Sequence, residues 1–157
     1  MNALYSVGFT INDVNPDYVI VGETKHYHYQ MLERAVHHVR NGAKLIGTNR
    51  DIMDRVGTEV VPSTGALVAP IELMTNSKAY FIGKPNPLIV SYALQTLQTS
   101  HKDTVIIGDR MDTDIQAGIE FGIDTVLVLS GVTTLNDLKY YGYKPKLVLN
   151  QVKDLLD

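Results

Sequence analysis

The stretch VIIGDRMDTDIQAG carries two carboxylates five residues apart, Asp109 and Asp114, whose positions suggest a metal site. Val105 to Ile107 form the short β-branched run that is typical of a buried parallel strand. Gly108 allows a sharp turn directly after that strand, so the carboxylate of Asp109 is predicted at the strand's carboxyl end, where open α/β sheets bind ligands. Carboxylate oxygens are natural ligands of Mg²⁺. Asp114, in the first turn of the next predicted helix, is expected to support this loop.

A lysine follows the preceding predicted strand, in the loop GKPNP. Strands joined by one crossover are usually neighbours, so Lys84 and Asp109 are expected to face one crevice. A cation beside a metal-binding carboxylate describes a phosphate site. The tripeptide GKP alone favours an exposed lysine in a proline-rich turn, and only its combination with GDxxxTD favours phosphate. A P-loop is excluded because Lys78 occupies the position of its first glycine.

A second polar cluster, Thr48, Asn49 and Asp51, follows a strand in the first half of the chain. Local turn formation explains these residue types equally well, so both interpretations stay open. His26 and His28 are two residues apart and have no third candidate ligand nearby. Solvated loop histidines are therefore favoured there over a metal site.

Strand patterns and helix patterns alternate along the chain, which predicts βαβ units, an α/β fold and a mostly parallel sheet. Residues 48–62 are predicted as a polar loop. The expected strands are residues 18–21, 44–47, 79–82, 104–107, 125–129 and 147–149. The expected helices are residues 1–8, 27–41, 63–76, 87–99, 112–121, 135–140 and 152–156.

Composition narrows the functional class. The chain has 157 residues, is 45% hydrophobic, carries a net charge of −3 and contains no cysteine. This length fits one domain or two small ones. Neither a nucleic-acid nor a membrane partner is expected, and disulfides and thiolate metal sites are excluded. The first residues, MNALYSVGF, show no secretory pattern, and we expect a cytoplasmic protein.

Several motifs in order resemble the NagD-like phosphatases of the haloacid dehalogenase (HAD) superfamily, subfamily IIA. They are NPDYVIVGET, GAKLIGTNRD, GKPNP, VIIGDRMDTDIQAG and TVLVLSGVTT. The resemblance implies a partial Rossmann-like core with a parallel sheet and most of a C2-type α/β cap. Residues 1–80 would then be the cap, incomplete at its start, and residues 81–157 the second half of the core.

The resemblance also implies roles for individual residues. Lys84 matches the family's phosphate-contacting lysine, Asp109 its Mg²⁺ ligand and Asp114 its supporting carboxylate. Arg50 replaces the proline of the family's TNPD motif. The loop expected to border the phosphate is Arg110, Met111, Asp112 and Thr113, and the cap's substrate loop is Thr48, Asn49 and Asp51.

The family's catalytic DxDG motif is absent from these 157 residues. The resemblance implies an Mg²⁺-dependent phosphatase acting on small phosphorylated metabolites, sugar phosphates or nucleoside monophosphates, through an aspartyl-phosphate intermediate. No nucleophile is found in this chain, so we expect a truncated form that is inactive alone. The alternative is an inactive phosphate- or Mg²⁺-binding or assembly module. A receiver-like phosphoacceptor is disfavoured because its lysine follows the acceptor aspartate, whereas Lys84 precedes Asp109.

The missing segment would leave the strand at residues 104–107 with a bare edge. Bare edges recruit partners. We therefore expect a homo-oligomer, or pairing of this strand with another chain.

Overall fold

Two small parallel sheets organise the chain. The structure is a computed structural model that describes residues 2–156. The first sheet has three parallel strands in the order β1-β2-β5, with β1 at Tyr18–Val21, β2 at Lys44–Gly47 and β5 at Tyr80–Phe81. This confirms the predicted α/β class with parallel sheets. Met1, where the predicted first helix begins, lies outside the described residues; α1 spans Asn2–Ser6.

Two helices pack against one face of the first sheet. Helix α2, Tyr29–Arg40, ends at Asn41 and Gly42, and Gly42 has a φ of 106° that favours glycine. Helix α3, Thr64–Thr75, continues through Pro70. Alternate strand residues face these helices, as the period-2 geometry of a strand requires. The buried residues of this core are Val21, Val36, Val39, Leu45, Leu67, Val68 and Ile71.

The prediction of a polar loop at residues 48–62 is wrong in one respect, because residues 53–62 form a β-hairpin. Strand β3, Met53–Val56, pairs antiparallel with β4, Glu59–Pro62. Gly57 adopts a φ of 64° in the two-residue connection. Such a connection needs positive φ, which glycine supplies without steric cost. The hairpin is mostly exposed, so no apolar alternation marked it in the sequence.

The second sheet has the order β6-β7-β8, again parallel, with β6 at Val105–Gly108, β7 at Asp124–Val128 and β8 at Leu147–Leu149. Helix α4, Pro87–Leu97, precedes it, and Asn86 caps that helix by accepting a hydrogen bond from the Leu88 amide at 2.9 Å. Between β6 and β7 the chain forms a π-helical turn, Met111–Ile115, and then α5, Gln116–Phe121.

Strand β6 is an outer strand of the second sheet. Its Ile106 packs with α4 and α5, whereas Val105 and Ile107 are 51% and 43% exposed. Only β7 pairs with β6 within residues 2–156. The division into a cap and a core at residue 80 stays a prediction. Strand β5, which includes residue 80, pairs within the first sheet. No helix among the described residues is long and apolar enough to cross a membrane.

Candidate functional site

Asp114 is the buried centre of the candidate site. Its side chain is 5% exposed, and its Oδ1 forms an ion pair with Nζ of Lys84. The other oxygen, Oδ2, accepts a hydrogen bond from the Arg110 amide at 3.1 Å. A Cβ at position 108 would lie within 3.0 Å of the Asp114 side chain, so this packing requires Gly108. The glycine that ends β6 therefore makes room for the carboxylate that holds Lys84 against the loop.

Asp109 is held by the loop that follows β7. Its Oδ2 accepts a hydrogen bond from the Val132 amide at 2.7 Å, and its carbonyl accepts one from the Thr133 amide at 3.0 Å. A Cβ on Gly131 would collide with the Asp109 carboxylate. Sequence reasoning missed this support. The sequence signal for it is the Ser130-Gly131 pair that directly follows the predicted strand at residues 125–129.

The π-helical turn directs two predicted phosphate-border side chains inward. Met111 is 0% exposed and Thr113 is 2% exposed. Met111 packs with Ile115 and Leu127. Within residues 2–156, the buried Thr113 Oγ1 has no hydrogen-bond partner. That residues 110–113 border the phosphate stays a prediction. Because the side chains of Met111 and Thr113 point inward, their backbone groups would make the contact.

Arg110 connects this loop to the hairpin of the first half. Its Nε lies 3.2 Å from Asp51 Oδ1, and its Nη1 donates to the Met53 carbonyl at 3.0 Å. Its Nη2 and Nε donate hydrogen bonds to the two carboxylate oxygens of Asp112, at 3.0 and 3.2 Å. Burial opposes the charge of the guanidinium, but the Asp112 and Asp51 carboxylates hold the pKa of Arg110 above its usual value. Every branch of this side chain is thus engaged within the protein.

The Asp51 carboxyl is partly buried beside this guanidinium. Burial raises the pKa of Asp51 above 3.8, and the attraction of Arg110 offsets only part of that effect. Asp51 Oδ1 is within ion-pair distance of Arg110 but has no hydrogen bond of good geometry among the described residues. The pair therefore fixes two loops without a strong net electrostatic gain.

The other two residues of the first-half cluster are tied to the start of α3. The hydroxyls of Thr48 and Thr64 lie 3.2 Å apart. Asn49 Oδ1 accepts a hydrogen bond from Ser63 Oγ at 3.2 Å. Ser63 also donates to Glu23, a contact that sequence reasoning missed because the two residues are forty positions apart. Asn49 Oδ1 also accepts a hydrogen bond from the Asp51 amide at 3.2 Å, which is the local contact of a turn. The cluster therefore combines turn geometry with contacts to the start of α3.

Two glycines bring this loop close to its neighbours. A Cβ on Gly65 would lie 2.6 Å from the Arg50 carbonyl oxygen, and one on Gly83 would lie 2.5 Å from the Thr48 carbonyl oxygen. Gly83 directly precedes Lys84, so the first-half cluster and the lysine loop are in contact through their backbones. The structure thus joins the Thr48–Asp51 cluster both to the Lys84 loop and, through Arg110, to the Asp109 loop.

One carboxylate oxygen in this arrangement suits a divalent cation. Both oxygens of Asp114 are engaged, whereas only Oδ2 of Asp109 has a partner among those described. Mg²⁺ commonly takes one or two protein carboxylates and retains water. The residues present therefore fit a partial Mg²⁺ site at Asp109. Residues 2–156 contain no group of three potential metal-ligating side chains.

A cleft lies beside the candidate residues. It has a volume of about 570 Å³ and is lined by Arg50, Gly83 and Pro85 together with charged residues of α3, α5 and the segment after α3. Lys84, Asp109 and Asp114 do not line it. The candidate site is therefore defined by the hydrogen bonds and charges of its residues and not by the position of this cleft.

Comparisons with known proteins find similar sequences along the whole chain. Residues 81–155 match the model of the HAD-hydrolase-like family. The ribonucleotide monophosphatase NagD of Escherichia coli K12 is 43% identical over 155 residues, which are 99% of this chain and 61% of that protein. A dihydroxyacetone phosphatase of Corynebacterium glutamicum is 39% identical, over 99% of this chain and 56% of its own length.

Solved structures show the same relationship. NagD from E. coli superposes with a TM-score of 0.83 at 44% identity, over 96% of this chain and 59% of that one. A 4-nitrophenylphosphatase from Thermotoga maritima gives a TM-score of 0.89 at 34% identity, over 98% of this chain and 59% of that one.

The α/β fold is that of the HAD-type phosphatase structures to which the chain is similar. Its second half matches the HAD-hydrolase-like family, and the whole chain is similar to NagD-like phosphatases, as its motifs predict. It spans about three-fifths of the length of the relatives it matches.

Proposed function

We propose that this chain forms the cap and the metal- and lysine-bearing part of an Mg²⁺-dependent phosphatase that hydrolyses phosphate monoesters of small metabolites. The observation that carries the proposal is the ion pair between Lys84 and the buried Asp114. Asp114 follows Asp109 by five residues in the same loop. A buried carboxylate costs free energy unless it is paired. Its role here is to hold the lysine beside the loop where a phosphate would bind.

Each residue has a distinct part in this proposal. Lys84, whose side chain is half exposed, supplies positive charge to phosphate oxygens. Asp109 would hold Mg²⁺ through its unengaged oxygen. When bound, the cation would offset negative charge on the phosphoryl group. Thr48, Asn49 and Asp51 would contact the rest of the substrate, a sugar phosphate or a nucleoside monophosphate.

The nucleophile is proposed to come from outside these 157 residues, which contain no DxDG motif. An attacking carboxylate would form an aspartyl-phosphate that water then hydrolyses. Asp109 and Asp114 are committed to the loop contacts described above. The chain alone is therefore expected not to turn over phosphate esters. A cytoplasmic location also stays a prediction, which cell fractionation can test.

A chimera tests the proposal directly. The part of E. coli NagD that precedes the matched region would be fused to this chain, and Mg²⁺-dependent release of nitrophenol from 4-nitrophenyl phosphate would be measured. We expect turnover, reduced at least about 100-fold by Asp109→Asn or by Lys84→Met. The exposed Lys102→Met serves as the matched control and should keep full activity.

Two results would contradict the proposal. A folded chimera whose turnover survives Asp109→Asn would remove the metal role. Turnover by the 157-residue chain alone, abolished by Asp109→Asn, would show that no outside nucleophile is needed.

The outer strand β6 supports a second proposal, on partners. We propose that its unpaired edge associates with another polypeptide, either a second copy or a segment bearing the nucleophile. Half-exposed Val105 and Ile107 add apolar surface beside that edge. Light scattering coupled to size exclusion should show association at rising concentration. A strictly monomeric chain with rapid amide exchange throughout β6 would refute it.

A further inference from the structure

We propose that Arg110 is a positioning residue, which fixes the hairpin β3-β4 and the Thr48–Asp51 loop over the loop that bears Asp109. The inference rests on the proposed function only in regarding that loop as a phosphate site. In this role Arg110 acts through the first half of the chain and does not itself contact the phosphate.

The contacts of the guanidinium carry the proposal. Its Nη1 donates to the Met53 carbonyl at 3.0 Å, and its Nε and Nη2 donate to the two carboxylate oxygens of Asp112 at 3.2 and 3.0 Å. Asp51 Oδ1 lies 3.2 Å from Nε as an ion pair without a hydrogen bond. Met53 and Asp51 lie at the head of the hairpin, and Asp112 lies on the arginine's own loop. A planar guanidinium can satisfy several acceptors in fixed directions at once, which a lysine cannot do. The side chain thereby sets both the distance and the angle between the two loops.

The burial of the two side chains distinguishes the contact between Arg110 and Asp51 from an ordinary surface ion pair. The Arg110 side chain is 13% exposed, and that of Asp51 is 23% exposed. An exposed pair would exchange partners with water at little cost, whereas this one is largely shielded. For a shielded ion pair, the free-energy cost of removing both charges from water offsets their mutual attraction, so the pair adds little to global stability. Its effect is to select one arrangement of the two loops.

The rest of the loop is restrained from the opposite side. The Arg50 carbonyl packs on Gly65, and the Thr48 carbonyl packs on Gly83. These backbone contacts fix the base of the loop, so the hairpin beyond Asp51 depends on Arg110 for its attachment to the Asp109 loop. Removal of the guanidinium should loosen the hairpin without moving the base.

Hydrogen-deuterium exchange on the 157-residue chain tests this, with Arg110→Met and Asp51→Asn as variants. We expect the amides of β3 and β4 to exchange about tenfold faster in each variant, with those of β7 unchanged. The double variant should exchange no faster than the faster single variant, because both remove the same link. Arg55→Met, at an exposed arginine of the same hairpin, is the matched control and should leave exchange unchanged.

A spectroscopic measurement keeps the test valid if Arg110→Met fails to fold. The Arg110 Nε–H resonance should be protected from solvent in the parent chain by its hydrogen bond to Asp112, and it should shift in Asp51→Asn because the carboxylate 3.2 Å away is neutralised. Unchanged hairpin exchange in both variants, or equally faster exchange in β7, would overturn the proposal. The exchange experiment contains no substrate, so its result does not depend on whether the phosphatase assay of the chimera succeeds.

Discussion

The two sheets have the same plan but hold their polar residues in different ways. Each has three parallel strands, and each carries polar residues beyond the carboxyl ends of its strands. In the first, Thr48 and Asn49 are held by hydroxyl side chains of neighbouring elements. In the second, Asp109 and Asp114 are held largely by backbone amides and by glycines that leave them room. Backbone support fixes a charged group more rigidly, which suits the loop proposed to hold a metal.

The largest expected effect is on the glycine-supported loop. Gly108→Ala places a Cβ against the buried Asp114, and we expect the free energy of unfolding to fall by about 1–3 kcal/mol in urea titrations. Gly142→Ala is the matched control, since a Cβ there meets nothing within 4 Å. Its expected change is within about 0.5 kcal/mol. Equal losses in the two variants would show that the close contact between Gly108 and Asp114 has no specific effect on stability.

A smaller effect is expected at the side-chain-supported cluster. Thr64→Val keeps the shape of a fully buried residue but removes the hydroxyl that faces Thr48. We expect a loss of about 1 kcal/mol in the free energy of unfolding, the usual net value of one hydrogen bond. Thermal or urea unfolding measures it. A loss larger than that of Gly108→Ala would reverse the comparison.

The smallest effect concerns pH, at the contact between the two regions. Burial raises the folded-state pKa of Asp51 above 3.8, so the folded chain binds this proton more tightly than the unfolded chain. The stability contributed by Asp51 is fully present below pH 3.8 and is lost as the pH rises through the raised pKa. Asp51→Asn, which does not titrate, should therefore gain stability relative to the parent as pH rises, by less than about 1 kcal/mol.

Urea titrations across that pH range measure this difference. Asp54→Asn controls for the loss of one negative charge from the same hairpin. A constant difference between Asp51→Asn and the parent at every pH would contradict the predicted shift.

Local sequence signals predicted most of the elements. The strands at Tyr18–Val21, Lys44–Gly47 and Leu147–Leu149 were predicted at their observed bounds, because short apolar runs end at clear turn residues. Asn86 followed by Pro87 predicted the start of α4 correctly. The hairpin was missed because exposed strands need no apolar pattern.

The site was only partly predictable for a different reason. The residue types of Asp109 and Lys84 indicated chemistry, but the groups that hold them are distant in sequence. Gly131 and the Val132 amide support Asp109 from more than twenty residues away. The same applies to the contact between Arg110 and Met53, fifty-seven positions apart. Such partners follow from the packing of whole elements, which no local pattern encodes.

The backbone contact between Arg50 and Gly65 has a practical consequence for protein engineering. The Arg50 carbonyl packs against Gly65, and Arg50, which is exposed, is among the residues that line the neighbouring cleft. The carbonyl contact does not involve the side chain at position 50, so we expect a substitution there to leave the contact in place. Because the chain has no cysteine, Arg50→Cys would provide a unique attachment point for a fluorophore that reports on ligands entering this cleft.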